Sequence, residues 1–311
     1  MSLSHKQKTS RQKYLASVAL VYGALCWGVI WYPYRLLNDA GLSGVQSSLL
    51  SYSLALLMGG LLFWRRFQYI WRIPRSAYWL SVIAGWTNLA YVLAIIDGEV
   101  MRVMLLFYLS PLWTLLLARV WLKERWHRPQ LLAIALSLLG AVLMLTDGKW
   151  MWPWPQSTSD WLALSAGIGF SMTNVMTRFS THLSLAAKGM LVWLGVFTLS
   201  LVVLLWQSGL TAVFAVAQSA FDPHTFSLLF VVALLLVTAT LFVQYGVTKI
   251  PAIQASVLFM TELIVAAIAA YFLAHETMSV IEMIGGSCII AAGVLSVSVG
   301  ESDLTQESNC R

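Results

Sequence analysis

The chain has 311 residues, of which 59% are hydrophobic and only 10% are charged. Soluble domains have about 45–50% apolar and about 25% charged residues, so this composition excludes a soluble protein and indicates one that crosses a membrane many times. The net charge of +6 does not indicate nucleic-acid binding, because the basic residues lie between the apolar runs, where membrane topology places them.

The apolar runs predict helices rather than strands. They are continuous and about 20 residues long, which is the length of a helix that crosses a hydrocarbon core of about 30 Å. Strands of a β-barrel would instead alternate in polarity over about ten residues. We therefore predict an all-α polytopic membrane protein with ten transmembrane helices, at residues 15–35, 44–64, 77–97, 101–122, 129–146, 160–181, 186–206, 225–248, 252–273 and 279–299.

The gap at residues 147–159 divides the ten predicted helices into two groups of five. It contains Trp150, Trp152 and Trp154, which fit an aromatic belt at a membrane interface. The predicted organisation is a cytoplasmic tail at 1–14, a first five-helix repeat at 15–146, an extracytoplasmic linker at 147–159, a second five-helix repeat at 160–299 and a cytoplasmic tail at 300–311.

The basic residues predict the orientation of the chain. When the loops are assigned alternately to the two sides of the membrane, one side receives sixteen of the nineteen lysine and arginine residues. The other side receives Arg35, Arg102 and Lys149. Loops rich in lysine and arginine stay in the cytoplasm, so we expect both termini there. We expect the protein itself to lie in the cytoplasmic membrane of a bacterium.

One stretch of the chain occurs twice, at residues 98–145 and 250–297. In each copy, an apolar run is followed by a hinge around one acid, Glu124 or Glu276, and then by a second apolar run. We expect these two acids to cap helices and to shape their loops. Because each half has five helices, the second copy is inverted, which is a recurrent transporter design with the binding site at the repeat interface.

Glu262 lies about ten residues from either end of the predicted ninth helix, near the bilayer centre. A charged group at that depth costs at least about 2.5–3.5 kcal/mol, so the carboxyl group must pair, face water or carry a proton. This predicts a proton carrier or a cation-binding group. The alternative is a protonated carboxyl group that joins neighbouring helices through a hydrogen bond.

The repeat places Pro111 of the fourth helix opposite Glu262. A proline in mid-helix removes a backbone donor and frees a carbonyl group. This predicts either a flexing point for gating or a static kink.

Aromatic and polar side chains recur at similar depths in several predicted helices. Aromatic faces with a few placed polar groups are typical of a small-molecule pocket and suit flat or cationic ligands. For any single aromatic side chain, ordinary helix packing is the alternative. The candidates for substrate binding are Trp27, Trp31, Trp86, Asn88, Tyr91, Tyr108, Asn174, Gln244 and Tyr245.

Two arginines, Arg35 and Arg102, lie near the predicted outer membrane boundary, and Asp97 and Glu99 lie beside Arg102 in the sequence. These arginines are candidates for an outer gate or for an anion-catching group. The alternative is an exposed ion-pair cluster at a turn. On the opposite side, Arg178 is expected to anchor its helix at the cytoplasmic boundary.

Several short motifs recur in a fixed order along the chain. They are Gly23-Ala24-Leu25-Cys26-Trp27-Gly28, Ser110-Pro111-Leu112, Lys123-Glu124-Arg125, Gly140, Pro251-Ala252, His275-Glu276, Gly285, Gly286 and Gly293. In their order and duplication they resemble the drug/metabolite transporter superfamily, and within it the EamA-type ten-helix exporters, over about residues 15–299. The resemblance implies a five-plus-five inverted fold around a central cavity with alternating access. It departs from the family at Glu262, where a proline is usual.

Members of that family mostly export amino acids, other metabolites or toxic compounds. We therefore expect a secondary-active transporter, specifically an exporter of a small amphipathic organic metabolite such as an amino acid. The alternatives are a multidrug or toxic-compound efflux transporter and, in a different class, a membrane-embedded enzyme. The sequence contains no catalytic constellation, no Cys/His metal spacing and no cofactor motif, so the expected partners are a small-molecule substrate and the lipid bilayer, without nucleic acid, metal or cofactor.

Overall fold

The computed structural model describes residues 2–65, 74, 77–98, 100–124, 127–146, 154–219, 222–273, 275 and 279–309, and all regular structure within these ranges is helical. In chain order the helices are α1 (Ser2–Asp39), α2 (Gly44–Leu62), α3 (Tyr78–Asp97), α4 (Val100–Phe107), α5 (Ser110–Leu117), α6 (Arg128–Thr146), α7 (Thr158–Phe179), α8 (Leu185–Ser219), α9 (Pro223–Lys249), α10 (Ala252–Phe259), α11 (Thr261–Leu273) and α12 (Val280–Asn309). A π-helical turn, Ala118–Leu122, continues α5.

Eight segments of the described chain are long and apolar enough to cross a membrane. They are Arg11–Asp39, Gly44–Leu62, Arg102–Leu122, Arg128–Thr146, Leu185–Thr211, Pro223–Lys249, Ala252–Leu273 and Val280–Val297. The protein is therefore a multi-pass helical membrane protein, as the composition predicts. The predicted third and sixth spans are also helical, as α3 and α7.

The terminal helices extend beyond the predicted spans. Helix α1 begins at Ser2 and α12 ends at Asn309, whereas the sequence predicts tails at 1–14 and 300–311. Residues 2–14 and 301–309, which flank the predicted spans, contain no glycine and no proline. Without a helix breaker, a helix that is already formed extends at little cost through lysine, arginine, glutamine and glutamate.

The fourth and ninth predicted spans are each broken near their middle. Leu109 donates its amide to the Leu106 carbonyl (3.4 Å), and Leu112 to the Leu109 carbonyl (3.0 Å). The corresponding bonds in the other half join Met260 to Val257 and Leu263 to Met260, both at 3.1 Å. These are i→i+3 bonds, which tighten the helix into a local turn.

The two breaks occupy equivalent positions in the two copies of the repeat. Helix α5 begins at Ser110 and α11 at Thr261, which is an offset of 151 residues, and the same offset relates Pro111 to Glu262. Proline fits the first turn of α5, where its missing N–H group has no intrahelical partner to lose. The second break forms without a proline.

Both hinges contain a residue in the left-handed region of backbone conformation. Lys123 has φ 55° and His275 has φ 57°, and these are the non-glycine residues with positive φ in the described ranges. A left-handed residue commonly ends a helix, and the Lys123 amide donates to the Ala118 carbonyl as it does so. The hinges therefore share a backbone conformation as well as a position in the repeat.

Helix packing follows one pattern in both halves. The contact of α1 with α9 corresponds to that of α7 with α3, and the contact of α3 with α8 corresponds to that of α9 with α2. Likewise, α1 contacts α10 and α11, and α7 contacts α4 and α5. Helix α2 also packs on α8, and α6 on α12. Exchanging α1–α6 with α7–α12 maps the α2–α8 and α6–α12 contacts onto themselves and each of the others onto another contact in the set.

The packing of α6 on α12 depends on two glycines. A Cβ atom added to Gly140 would lie 2.5 Å from the Gly285 carbonyl oxygen, and one added to Gly285 would lie 2.6 Å from the Gly140 carbonyl oxygen. Small residues let helix backbones approach closely in a membrane, where van der Waals packing drives association. These glycines are part of the repeated motifs in the sequence.

Candidate functional site

The two broken helices meet at a continuous group of aromatic rings. Phe107, the last residue of α4, lies at the centre, with its ring centroid 4.8 Å from Tyr91, 5.4 Å from Tyr108 and 5.6 Å from Phe170. The Phe170 ring lies 5.2 Å from that of Phe259, the last residue of α10. We call these five side chains, contributed by four different parts of the chain, the aromatic cluster.

Glu262 lies beside the aromatic cluster, in the first turn of α11. Its carboxyl group is in hydrogen-bonding contact with the Tyr108 hydroxyl, and Tyr91 is close enough for its phenol to interact with the carboxylate charge. The free amide groups at a helix start favour a negative charge, whereas removal from water opposes one. The carboxyl group therefore lies where the second broken helix meets the aromatic cluster.

Three of the predicted site residues therefore lie together: Tyr91, Tyr108 and Glu262. Phe107 and Phe170 complete the arrangement, although the sequence analysis did not select them as substrate-binding residues. Phe107 precedes the break in the fourth span and corresponds to Leu258 in the repeat. Its position directly before the break is the signal that could have identified it.

Asn88 lies in a second polar region, between α2 and α3. Its amide nitrogen donates to the Tyr52 hydroxyl over 3.4 Å.

Among the predicted residues of α1, Trp27 is half-buried and packs against the apolar core of α1, α2, α8 and α9. Trp31 makes an edge contact with Tyr32, with ring centroids 5.7 Å apart.

Asn174 and Gln244 are buried, and each retains a polar atom with no hydrogen-bond partner among the described residues. These atoms are Nδ2 of Asn174 and Oε1 of Gln244. Gln254 of α10 also has an unpartnered Oε1 and is a residue that the sequence analysis missed. A buried amide without a partner costs about 1–3 kcal/mol, so water or a ligand would stabilise all three. Tyr245 packs with the apolar group that contains Phe259.

Two predicted site residues lie away from these groups. Trp86 is exposed and shares one face of α3 with the exposed side chains of Tyr78 and Val82. Arg35 is exposed near the end of α1. Neither side chain belongs to the aromatic cluster.

An ionic cluster lies at the end of α7, where α9 also ends and α10 begins. Glu124 Oε1 accepts hydrogen bonds from the Arg178 side chain and from the Ala252 amide, both over 3.1 Å. Lys188 is fully buried and donates to the Thr177 carbonyl oxygen over 2.7 Å. We call this group, which also contains Thr248, the Glu124 cluster. Arg178 is therefore paired rather than only a boundary anchor, and Glu124 caps a helix of the other half.

A second ion pair lies at the opposite end of α7. Arg102 Nε donates to Asp160 Oδ2 over 2.7 Å, and Asp160 is almost fully buried. The Gln156 amide donates to the same oxygen over 2.7 Å, and Arg102 also donates to the Trp154 carbonyl oxygen.

The sequence suggests Asp97 and Glu99 as neighbours of Arg102. Glu99 and the side chain of Asp97 lie outside the described residues, and the partner in the structure is Asp160. The pair is also largely buried rather than exposed at a turn. The signal for Asp160 was the capping-box spacing with Ser157, which identifies a helix start but not an ion pair formed with a distant helix.

Within the described ranges, no group of three histidine, cysteine, aspartate or glutamate side chains is arranged to hold a metal ion. The arrangement around Glu262 offers aromatic surface, the hydroxyl groups of Tyr91 and Tyr108 and one carboxyl group in a membrane-spanning segment. Such a set can bind a small organic molecule and can move a proton. The site around Glu262 lies between the Glu124 cluster and the Arg102–Asp160 ion pair, which are at the two ends of α7.

The chain is similar in sequence and in fold to known proteins. Residues 15–146 match the EamA-like transporter family. An uncharacterized transporter from Archaeoglobus fulgidus is 28% identical over 228 residues, which cover 72% of this chain and 76% of the relative. The fold is shared with a protein of known crystal structure, at a TM-score of 0.76 and 13% identity over 92% of this chain and 98% of the other. The chain is a multi-pass helical membrane protein whose residues 15–146 are similar to the EamA-like transporter family.

Proposed function

We propose that the protein is a secondary-active exporter of a small amphipathic organic metabolite and that protonation of Glu262 drives its cycle. The observation that carries this proposal is a membrane-embedded carboxyl group in contact with Tyr108 at the point where two broken helices meet. Ionisable groups inside membranes are costly, and they typically mark substrate or proton pathways. Broken helices at the bilayer midplane form the binding sites of many transporters.

The repeated architecture supports a ten-span protein built from two inverted halves, at residues 15–146 and 160–299, joined by an extracytoplasmic linker. Support comes from the equivalent helix breaks at Leu109 and Met260 and from packing contacts that persist when the halves are exchanged. Helices α3 and α7 are 20 and 22 residues long, so each is about 30 Å long and can cross the bilayer. The distribution of basic residues supports cytoplasmic termini in a bacterial cytoplasmic membrane.

Alternating access is supported by the two ionic contacts on α7. The Asp160–Arg102 pair lies at one end of the helix and the Arg178–Glu124 pair at the other. The two α7 residues are 18 positions apart, which corresponds to about 27 Å along a helix. In the proposed cycle, these contacts close the protein on one side or the other while substrate occupies the space beside Glu262.

The substrate class follows from the chemistry of the site. Aromatic rings stabilise flat or cationic groups, and a carboxylate pairs with an ammonium group, so the site suits an amphipathic amine or amino acid. The unpartnered amides of Asn174 and Gln244 supply further polar contacts towards the Glu124 cluster. Export as the direction of transport rests on the family resemblance.

Efflux of toxic compounds is the second candidate, and the aromatic cluster favours it because stacking surfaces accept many flat ligands. A membrane-embedded enzyme is the candidate from a different class. One experiment separates the three. Purified protein is reconstituted into sealed vesicles, and radiolabelled amino acids and dyes are offered with and without a pH gradient.

The proposal expects gradient-driven movement of a narrow set of metabolites, recovered with unchanged mass. Movement of many unrelated dyes would support toxic-compound efflux instead. A label recovered with altered mass would indicate an enzyme. Absence of gradient-driven transport for every compound that binds would contradict the coupling that we propose.

A further inference from the structure

An apolar groove lies on the surface where α2 packs against α8, away from the aromatic cluster. Tyr78 of α3 also contributes to its lining. The groove has a volume of about 890 Å³, within the range of about 300–1,000 Å³ found for pockets that hold small molecules. Its walls and floor include Leu57, Leu61, Met190, Leu194 and Phe197.

The width of the groove depends on Gly60. The neighbouring Gly59 faces α8, where an added Cβ atom would collide with the Trp193 ring, but a Cβ atom added to Gly60 would meet nothing within 4 Å. Gly60 therefore leaves open space without serving helix packing. A ligand with an extended apolar chain would fill the space that its missing side chain provides.

One end of the groove combines aromatic and positively charged groups. Trp64 of the lining is exposed, and the Arg65 guanidinium lies 5.4 Å from the centre of its ring. Tyr78, the first residue of α3, lies on the other side of the same end. In the sequence, the eleven residues that start at Arg65 contain four arginines and no acid. Trp and Tyr side chains at the level of lipid headgroups are typical of membrane interfaces.

We infer that this groove binds one anionic phospholipid, with an acyl chain along the groove between α2 and α8 and its phosphate group beside Arg65. The apolar lining matches the chain and the positive end matches the headgroup, because arginine near the membrane surface attracts anionic lipids. In the proposed orientation the site faces the cytoplasmic leaflet. The inference does not depend on the transport mechanism, since no residue of the groove belongs to the aromatic cluster, to the Glu124 cluster or to the Arg102–Asp160 ion pair.

The test uses the full chain, purified in detergent and examined by native mass spectrometry. An equimolar mixture of phosphatidylglycerol and phosphatidylcholine with the same acyl chains is added, and the lipid that remains bound is counted. We expect one tightly retained phosphatidylglycerol for each wild-type chain. Arg65→Gln should lower the preference for phosphatidylglycerol about fivefold, whereas Arg65→Lys should keep most of it.

Gly60→Leu tests the acyl-chain part of the site, because the added side chain occupies the groove. We expect at least a tenfold loss of retained phosphatidylglycerol, while the melting temperature stays near that of the wild type. Ala135→Leu is the matched control, because Ala135 is an exposed small residue of α6, outside the groove. It should retain lipid as the wild type does.

Equal retention of the two lipids by the wild type would overturn the inference. Undiminished phosphatidylglycerol retention by Gly60→Leu would also overturn it. If that variant kept its lipid but lost transport of the substrate, the groove would be an entry path for substrate rather than a lipid site. If Gly60→Leu fails to fold, the exposed Arg65 variants still decide the question. Neither result bears on proton coupling, which is measured separately in vesicles.

Discussion

Tyr108 links the aromatic cluster to the carboxyl group of Glu262. Its ring packs edge-on against Phe107, and its hydroxyl group contacts the carboxyl group. Because Tyr108 lies at the break between α4 and α5, a movement of either helix segment changes the surroundings of Glu262. In the proposed mechanism, this hydroxyl–carboxyl contact is where substrate binding and proton binding influence each other.

We expect Tyr108→Phe to fold normally, because the ring and its packing remain. Loss of one hydrogen bond of about 1 kcal/mol should lower gradient-driven transport about fivefold. The assay is uptake into proteoliposomes with and without a pH gradient. Tyr271→Phe is the control, since Tyr271 is an exposed residue of α11. Equal transport rates for Tyr108→Phe and the wild type would contradict the role that we give to the hydroxyl group.

The Glu124 cluster joins the hinge after α5 to α7 and to the start of α10. Its Arg178–Glu124 ion pair is partly exposed, with 27% and 15% of the two side chains accessible. We expect Arg178→Gln and Glu124→Gln each to destabilise the protein by about 1–2 kcal/mol. In the double variant, the loss should be clearly smaller than the sum of the two single losses. Melting curves in detergent measure it, and strictly additive losses would show that the pair contributes nothing.

The element scale is where the two halves of the chain are most alike. Each broken span has its pair of i→i+3 bonds at the same offset, and each following hinge contains a left-handed residue, Lys123 or His275. The second break places the start of α11, and with it Glu262, beside the aromatic cluster. The position of the site is therefore a consequence of how the two helices are broken.

The close packing of α6 on α12 gives a prediction for Gly140. A valine at this position would collide with the Gly285 backbone, so we expect Gly140→Val to lower stability by about 1–3 kcal/mol. Gly60→Ala is the matched control, because a Cβ atom there meets nothing within 4 Å. Thermal unfolding in detergent provides the comparison. If Gly140→Val were as stable as Gly60→Ala, the close contact of these helices would not matter.

Part of the fold at this scale can be predicted from the sequence. Apolar runs locate the helices, since each must span about 30 Å of hydrocarbon. Pro111 indicates a break in the fourth span because proline lacks a donor. No such signal marks Met260, and only its equivalence to Leu109 in the repeat points to the second break.

Contacts between distant parts of the chain were the hardest to predict. Asp160 reads as a helix cap in the sequence, yet in the structure it also pairs with Arg102, 58 positions earlier. Glu124 similarly bonds to Ala252, 128 positions later. Tyr91 and Tyr108 were selected for their depth alone, and depth cannot separate them from Trp86, which lies on the exposed face of α3.

At the scale of the whole molecule, the proposed inverted repeat requires the two hinges to lie on opposite sides of the membrane. Single cysteines at Lys123 and His275, both exposed, should therefore react with an impermeant maleimide from opposite sides. The background is a variant without Cys26, Cys288 and Cys310. We expect position 123 to be cytoplasmic and position 275 to be extracytoplasmic. Reaction of both from one side would refute the inverted repeat.

The central claim is that Glu262 couples transport to protonation, and Glu262→Gln tests it most directly. Glutamine keeps the size of the side chain and can still form a hydrogen bond with Tyr108, but its amide group does not gain or lose a proton as the pH changes. Glu282→Gln is the matched control, because Glu282 also lies in the first turn of a helix, α12, at the membrane boundary.

The measurement is counterflow and pH-gradient-driven transport of one labelled substrate in the same proteoliposomes. We predict that Glu262→Gln folds and exchanges substrate at close to the wild-type rate, yet no longer responds to the gradient, while Glu282→Gln behaves as the wild type in both assays. Full gradient-driven transport by a well-folded Glu262→Gln variant would contradict the account.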